Sequence, residues 1–469
     1  MKKIILVCLS TCFFLITNAQ EKPKKLSLNE AIKFAIENSY NTKASKNDIK
    51  SAEEKVWETT STGLPQISAA VDYQNFLKQP VSLLPAAAFD NTSAVVETVE
   101  DYFGLTASST PSVPEGFLPL TFGTKQNINA SVTLRQLLFD GSYLVGLQAS
   151  RTFLKISKQA NEKTELQTRE AVINAYGNVL VTENSIVILE KNIKVLKKNL
   201  NDAKKIYENG FNEEEDIEQL EITLGNLKNQ LNSVLRMKVI AYQMLNISLG
   251  TPIETKIILT DSLDSLAESN INLGLVSETF NYSNHIDFKI AENDRESKRL
   301  LMRLEQSKAL PSLSAFVNYG AQANSDTFSF LKSDQNWYNS SLLGVSLNIP
   351  IFSSFGRASK TKQAKIALET ADFRLEETKQ RLNLLARKAK SEYQLSIENY
   401  NTAKKNVGLA ERIEKKQRIK FFEGISSSFD LLQAQNQLYS QQQNYIQSML
   451  NVIAKKATLE NALNLPIKK

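Results

Sequence analysis

"FFEGISSSFDLLQAQ", residues Phe421 to Gln435, interrupts a stretch that reads as helix on both sides. Gly424 permits the positive φ of a tight reversal. Three serines and Asp430 then open a Leu/Gln-rich run in the manner of a helix N-cap. The first half of the chain carries the same device at "YENGFNEEEDIEQLE", Tyr207 to Glu221, with Gly210 and Asp216 in the corresponding places. Two hinges of one form, each between long helices, set the question of what the helices build.

The hinges belong to a repeat that runs through the chain. "LPQISAAVDY" (Leu64 to Tyr73) matches "LPSLSAFVNY" (Leu310 to Tyr319), and "VTLRQLLFDG" (Val132 to Gly141) matches "VSLNIPIFSS" (Val345 to Ser354). "LGTPI" (Leu249 to Ile253) matches "LNLPI" (Leu463 to Ile467). The order is kept, and the main length difference falls between Tyr73 and Val132. The expected organisation is a leader over 1–19, repeat one over 20–253, a linker over 254–272, and repeat two over 273–469. Each repeat is expected to run helix, two strands, then two long helices about the hinge. The helices are expected at Leu28–Thr60, Ser142–Tyr207 and Glu214–Leu249, and again at Leu275–Lys308, Arg357–Phe421 and Phe429–Leu463. No proline occurs between Pro119 and Pro252 or between Pro350 and Pro466, where uninterrupted helix is needed.

The strands alternate. Ile67, Ala69, Val71 and Tyr73 share one face, as do Ile128, Ala130, Val132 and Leu134. Leu313, Ala315, Val317 and Tyr319, and then Leu343, Val345, Leu347 and Ile349, repeat the pattern. An apolar face against a small polar face fits a transmembrane barrel strand, and it fits equally a hairpin packed on a soluble core. The helices show an Ala-rich seam, from Leu382 through Ala389, Tyr393, Ile397 and Tyr400 to Ala410. Such a seam brings helices close but leaves little volume for a conventional core.

"MKKIILVCLSTCFFLITNAQ" has a basic start, an apolar stretch too short to span a bilayer comfortably, and a small-residue end. It reads as a secretory leader cut after Ala19. Cys8 and Cys12, the only cysteines, lie inside it, so the mature chain is expected to be held by packing or assembly rather than disulfides. The 469 residues carry a formal net charge of +6, with Lys and Arg interleaved among Glu and Asp. That is the pattern of solvated helix faces and not of a nucleic-acid footprint. With one histidine, His285, no cysteine in the mature chain and no phosphate-binding glycine loop, the common thiol, triad, zinc and nucleotide chemistries lack their residues. Neither an enzyme nor a cofactor or metal site is expected, and His285 reads as a packing residue.

Without a further apolar run of membrane-helix length, membrane entry requires a β-barrel. Four strands cannot close one, so a barrel reading demands several chains; three would supply twelve strands. At this point the residues resemble a family. "LSLNEAIKFAIENSY", "GLPQISAAVDY", "LFDGS", the twin hinges, "QNQLYSQQQNY" and "ALNLPI", in this order, look like the TolC-like outer membrane efflux proteins. The resemblance extends over essentially the whole mature chain. It implies a mainly α fold with a β-barrel portion: a long α-helical barrel in the periplasm, continuous with a twelve-stranded transmembrane barrel formed by a homotrimer. It further implies an outer membrane exit duct for tripartite efflux or one-step secretion, in contact with outer membrane lipid. The partners would be a periplasmic adaptor (membrane fusion) protein and an inner-membrane transporter of the RND or ABC type.

The resemblance places the hinges at the periplasmic tips, where the adaptor docks. Gly210 and Gly424 match the turn glycine; Tyr207, Phe421 and Ser426 belong to the same tips. Asp430, and Asp216 in the first repeat, match an acidic position at the channel aperture, where carboxylates around a threefold axis would attract cations and raise one another's pKa. An aspartate in a first helical turn is also favoured by the helix dipole alone. Some members have a second aspartate where this chain has Gln433, a basic residue where it has Ser426, and a tyrosine where it has Phe421, so their latch does not carry over. Glu213, Glu214, Glu215 and Glu218 make the first tip acidic, either facing the adaptor and mouth or forming a solvated helix start. Residues Gln74 to Gln126 form a proline-containing insertion, expected as a long extracellular loop. The competing reading is a soluble periplasmic coiled-coil scaffold.

Overall fold

The computed structural model describes residues 24–89, 91–104, 115–210 and 213–465. The leader over 1–19, Phe211 and Asn212 in the first hinge, and Pro466 and Ile467 of the closing motif lie outside the described residues. Strand β1 (Lys24–Leu26) is followed by α1 (Leu28–Asn38), α2 (Tyr40–Ser61), β2 (Gln66–Asn75), β3 (Val81–Pro85), α3 (Thr92–Phe103), β4 (Phe117–Thr121) and β5 (Gln126–Asp140). Then come the long helices α4 (Gly141–Glu208) and α5 (Glu214–Leu249), followed by β6 (Ile257–Leu259), α6 (Leu263–Ser269) and α7 (Gly274–Ser277). The second series is α8 (Ile286–Ser307), β7 (Ser312–Ser325), β8 (Tyr338–Asn348), α9 (Gly356–Phe422) and α10 (Ser428–Ala462). Helix, strand pair, long helix, hinge and shorter helix thus occur twice. The chain divides into two compact units: a helical one, of residues up to Val56, Gln148–Met302 and Lys360 onward, and a β-rich one, of Trp57–Leu147 and Arg303–Ser359.

In the helical unit, the middle of α4 supplies the core. Val172, Tyr176 and Val179 are fully buried among Leu245 and Leu249 of α5, Tyr393 and Ile397 of α9, and Ile446, Val452 and Ile453 of α10. Helix α4 contains a window long and apolar enough to cross a membrane, but this packing occupies most of it. The segment 254–272, expected as a linker, is built into the fold. Strand β6 pairs in parallel with β1, Ile257 opposite Lys24 and Leu259 opposite Leu26. Just after it, Asp261 Oδ2 accepts from Leu28 N–H (2.6 Å) and from Tyr176 Oη (2.9 Å). One carboxylate therefore ties the start of repeat one, the core helix and the crossover together.

The expected helix Leu28–Thr60 breaks at Ser39, whose ψ of 148° is extended. The reason is the C-terminus of α5. Gly250 ends that helix at φ +75° and sits against the backbone of Asn38 and Ser39, leaving no room for a Cβ. The matching position in repeat two is Asn464, also left-handed at φ +54°. There the side chain does the work: its Oδ1 accepts from Ile286 N–H (3.1 Å) and its amide donates to Asn284 O (3.3 Å). The helix expected from Leu275 accordingly begins only at Ile286. His285, matching Tyr40 by repeat, is buried at this junction and accepts from Asp287 N–H at Nδ1 (3.1 Å). Burial holds its pKa below the ordinary value, so it packs as a neutral ring.

The β unit is a four-stranded antiparallel sheet in the order β2-β5-β7-β8. Its register aligns the alternation of all four strands: Ile67 lies opposite Leu134, Leu134 opposite Val317, and Val317 opposite Leu343. A bulge between Leu137 and Phe139 shifts the phase of β5, so that Phe139 faces Leu313 on the apolar side. Gln136, before the bulge and in phase with Leu134, lies on the same side, opposite Ala315, and its amide donates to Gly63 O (2.8 Å) and Leu137 O (2.7 Å). The insertion over 74–126 is not merely a loop: β3 and β4 pair with each other, and α3 follows β3.

Candidate functional site

The sheet presents two chemically distinct faces. On one lie Ile67, Val71, Val132, Val317, Tyr319, Leu343, Val345 and Leu347, all exposed; Val71 and Leu343 have 68% and 73% of their surface open. A contiguous apolar surface of this extent cannot face water in a stable soluble chain. The other face carries Gln66, Ser68, Asp72, Asn127, Asn129, Ser131, Thr133, Asn318, Gly320, Gln322 and Ser340, with Asn318 Nδ2 donating to Thr133 Oγ1 (2.7 Å). Gly344 leaves the space that the Phe316 ring fills. Aromatic residues gather at both strand ends. Tyr73, Phe328 and Phe330 meet edge to face with centroids 5.7 to 6.0 Å apart, while Phe352 and Phe355 lie exposed beyond β8 at its other end. A ten-residue strand at ~3.3 Å per residue is long enough to cross the apolar part of a bilayer when tilted. Strands β2 and β8 leave both sheet edges unpaired within the chain.

The tips of the two helical hairpins hold the residues singled out from the sequence. Gly210 (φ +82°) and Gly424 (φ +71°) are both left-handed, and nothing crowds the place of a Cβ at either, so the turn and not space requires glycine. Gly424 N–H donates to Phe421 O (3.1 Å) and Ile425 N–H to Lys420 O (2.8 Å), closing the last turn of α9 in the Schellman manner. Gly210 N–H donates to Tyr207 O (2.7 Å). Tyr207 is exposed, whereas Phe421 has only 4% of its surface open. Phe421 belongs to one buried apolar cluster with Leu431 of its own hairpin and with Leu189, Leu196, Leu220 and Leu224 of the first, so the cluster joins the two hairpins.

Asp430 is exposed and forms a capping box. Ser427 Oγ accepts from Asp430 N–H (3.2 Å), and Asp430 Oδ2 in turn receives Ser427 Oγ (3.0 Å) and Ser427 N–H (3.4 Å). Ser426 Oγ lies 3.1 Å from the same oxygen and 3.3 Å from Gln417 Oε1. These donors, Ser427 first, hold the Asp430 carboxyl below its ordinary pKa. Asp216 is only partly exposed, and its helix starts at Glu213 without a side-chain cap. Its N–H donates to Glu213 O (3.2 Å). Glu213, Glu214, Glu215 and Glu218 are exposed around it. The two tips therefore share a left-handed glycine bonded three residues back and differ in chemistry: one uncapped and acidic, the other capped by serines.

Gln433 is exposed one turn beyond Asp430, followed on the same side by Asn436, Gln437 and Ser440. Asp430 is the only charged residue between Ser428 and Ala454. Sequence reasoning missed a buried carboxylate on α9. Glu414, with 6% of its surface open, has Arg418 Nη1 3.4 Å away and faces the buried Gln435 of α10. Burial is the larger influence and raises its pKa; it also raises that of neighbouring Tyr439. Among the described residues no group of three or more His, Cys, Asp or Glu could hold a metal ion.

Residues 282–465 match the family model for outer membrane efflux proteins. No curated protein sequence matches the chain. Among solved structures, the chain is similar to the outer membrane protein VceC from Vibrio cholerae, at 14% identity and a TM-score of 0.67 over 93% of this chain and 95% of that one. CusC, described in terms of folding and transmembrane channel formation, matches at 13% identity and a TM-score of 0.70, with 96% and 95% covered. The Campylobacter jejuni CmeC outer membrane channel matches at 15% identity and 0.68, with 95% and 90% covered. These identities carry the fold, and the family model carries the kinship of the second repeat. Residues 282–465 thus carry the pattern of the outer membrane efflux proteins, and over more than nine-tenths of its length the chain has the fold of these outer membrane channels.

Proposed function

We propose that the protein is a passive, homotrimeric exit duct of the outer membrane that serves tripartite efflux or one-step secretion. The observation that carries this reading is the four-stranded sheet with one continuous exposed apolar face, a polar face and two open edges. In a bilayer, open edges leave backbone donors and acceptors unsatisfied at a cost on the order of several kcal/mol each. Three copies joined β8 to β2 close a twelve-stranded barrel, with the apolar side to lipid and the Ser, Asn, Thr and Gln side to the lumen. A soluble scaffold gives no reason for that exposed face.

The helices of three copies would form the periplasmic tube. A helix of 68 residues is ~100 Å long at 1.5 Å per residue. The tips would carry the aperture and the docking surface for a periplasmic adaptor, with an inner-membrane transporter of the RND or ABC type supplying the energy. In this reading Asp430 and Asp216 from three chains line the aperture, and Gly210, Gly424, Tyr207 and Ser426 form the docking tip. Phe421, being buried, would act from beneath as the hinge between the hairpins. With no other charge on α10 before Lys455, Asp430 would set the ion preference. Recording from the purified protein in planar lipid bilayers tests this. A discrete cation-preferring conductance that loses its preference in Asp430→Asn is expected; a preference unchanged in Asp430→Asn removes that residue from the aperture, and absence of any conductance removes the duct.

A further inference from the structure

The insertion between β2 and β5 has no counterpart in the second repeat. Phe76 N–H donates to Lys125 O (2.9 Å) and Ala86 N–H to Gly116 O (2.9 Å), so β3 and β4 prolong the β2–β5 hairpin as a ribbon. The second hairpin does not accompany it: Ser325, opposite Gln126, ends β7, and Tyr338 begins β8. The ribbon thus stands beyond the four-stranded sheet with Val81, Leu83, Phe117 and Leu118 exposed. Helix α3 adds Val95, Val99, Tyr102 and Phe103, all exposed, Tyr102 to 83%. A lone two-stranded ribbon and an isolated twelve-residue helix are each marginal in water. Some other surface must cover these side chains.

Two observations choose among possible covers. Helix α3 carries Glu97, Glu100 and Asp101 and no Lys or Arg, the opposite of a helix that settles on an anionic lipid surface. Pro85 and Pro119 sit within the ribbon's strands and deny an added strand its full ladder, so the cover must pack on side chains. The ribbon also grows directly from β2, the edge strand that meets the next copy in the trimer. We propose that the cover is the same insertion of the other two copies: three ribbons and three α3 helices pack their apolar faces together as a cap over the outer mouth of the duct. The cap rests on the trimer reading above.

Single-cysteine variants of the full chain test it, since its only cysteines, Cys8 and Cys12, lie in the expected leader. Val99→Cys and Tyr102→Cys, in outer membrane vesicles treated with a short bismaleimide, are expected to give covalently linked pairs and triplets of chains. Glu97→Cys, about 200° around the helix from Val99, should link several-fold less. Single chains only from both Val99→Cys and Tyr102→Cys, or equal linking at 97 and 99, overturn the cap if an unboiled gel still shows the trimer. Loss of the trimer band in the unaltered protein overturns both cap and assembly. Strong quenching of Tyr102→Trp fluorescence by brominated lipid overturns the cap by making lipid the cover.

Discussion

Gly250 and Asn464 show how much of this fold turns on single residues. Gly250 follows α5 and Asn464 follows α10, both in the left-handed region, and each holds the start of the helical segment that opens its repeat. The first does so by having no side chain, the second by using one. Gly250→Ala should therefore cost on the order of 1–3 kcal/mol for the backbone conformation, and more for the encounter with Asn38 and Ser39. The fall in the thermal midpoint of the purified protein measures it; Gly408→Ala, inside α9 with open space around it, should be neutral or slightly stabilising. Glu414 makes a pH-dependent prediction. Its folded pKa is raised by burial, so its contribution is fully favourable below the ordinary carboxylate value of 4.5 and is lost as pH rises through the folded value. At neutral pH the buried charge is a cost only partly offset by Arg418. Glu414→Gln should raise the thermal midpoint at about pH 7.5 and leave it unchanged at about pH 4. The aspartates and glycines of the tips were legible because turn and cap chemistry is local. Glu414 was not, because its burial depends on a helix that joins α9 only in three dimensions.

The strands are legible as elements because their alternation has a period of two, but the alternation alone left a membrane face and a soluble core face equally open. Register resolves this by aligning the apolar sides of all four strands and leaving them uncovered. Val71→Arg should cost ~2–4 kcal/mol near the bilayer midplane, whereas Ser340→Arg, on the polar side, should be accommodated. Folding into lipid vesicles under a urea series gives the two values, and equal costs would remove the distinction between the faces. The bulge after Leu137, which puts Phe139 on the apolar side, was hidden, because a one-residue slip leaves no mark in composition. The helix break at Ser39 was also missed: its cause, Gly250, lies more than two hundred residues away. The insertion read as a loop because its prolines obscured a ribbon that uses Pro85 and Pro119 within its strands. The long helices were plain because the two long proline-free spans contain them, and helix α10 was plain as a helix but not as an almost uncharged one, with Asp430 alone before Lys455.

At the scale of the molecule, the proposed duct requires more than one chain. The chain's sheet has two open edges, its two tips differ in chemistry, and α5 exposes Leu235, Val239, Ile240, Met244 and Ile247. A second copy against those residues buries them at roughly 25 cal/mol per Å² of apolar surface. In the proposed trimer the repeat would let each chain supply four strands and two hairpins, so that threefold symmetry would give walls of nearly sixfold character. The measurement that decides this is the protein mass of the complex extracted from outer membranes in mild detergent, by light scattering with detergent subtracted. Three times the mass of the mature chain is expected, together with a band on unboiled gels that collapses on heating. A single-chain mass, or recovery of the protein in the soluble fraction, would contradict the trimeric duct.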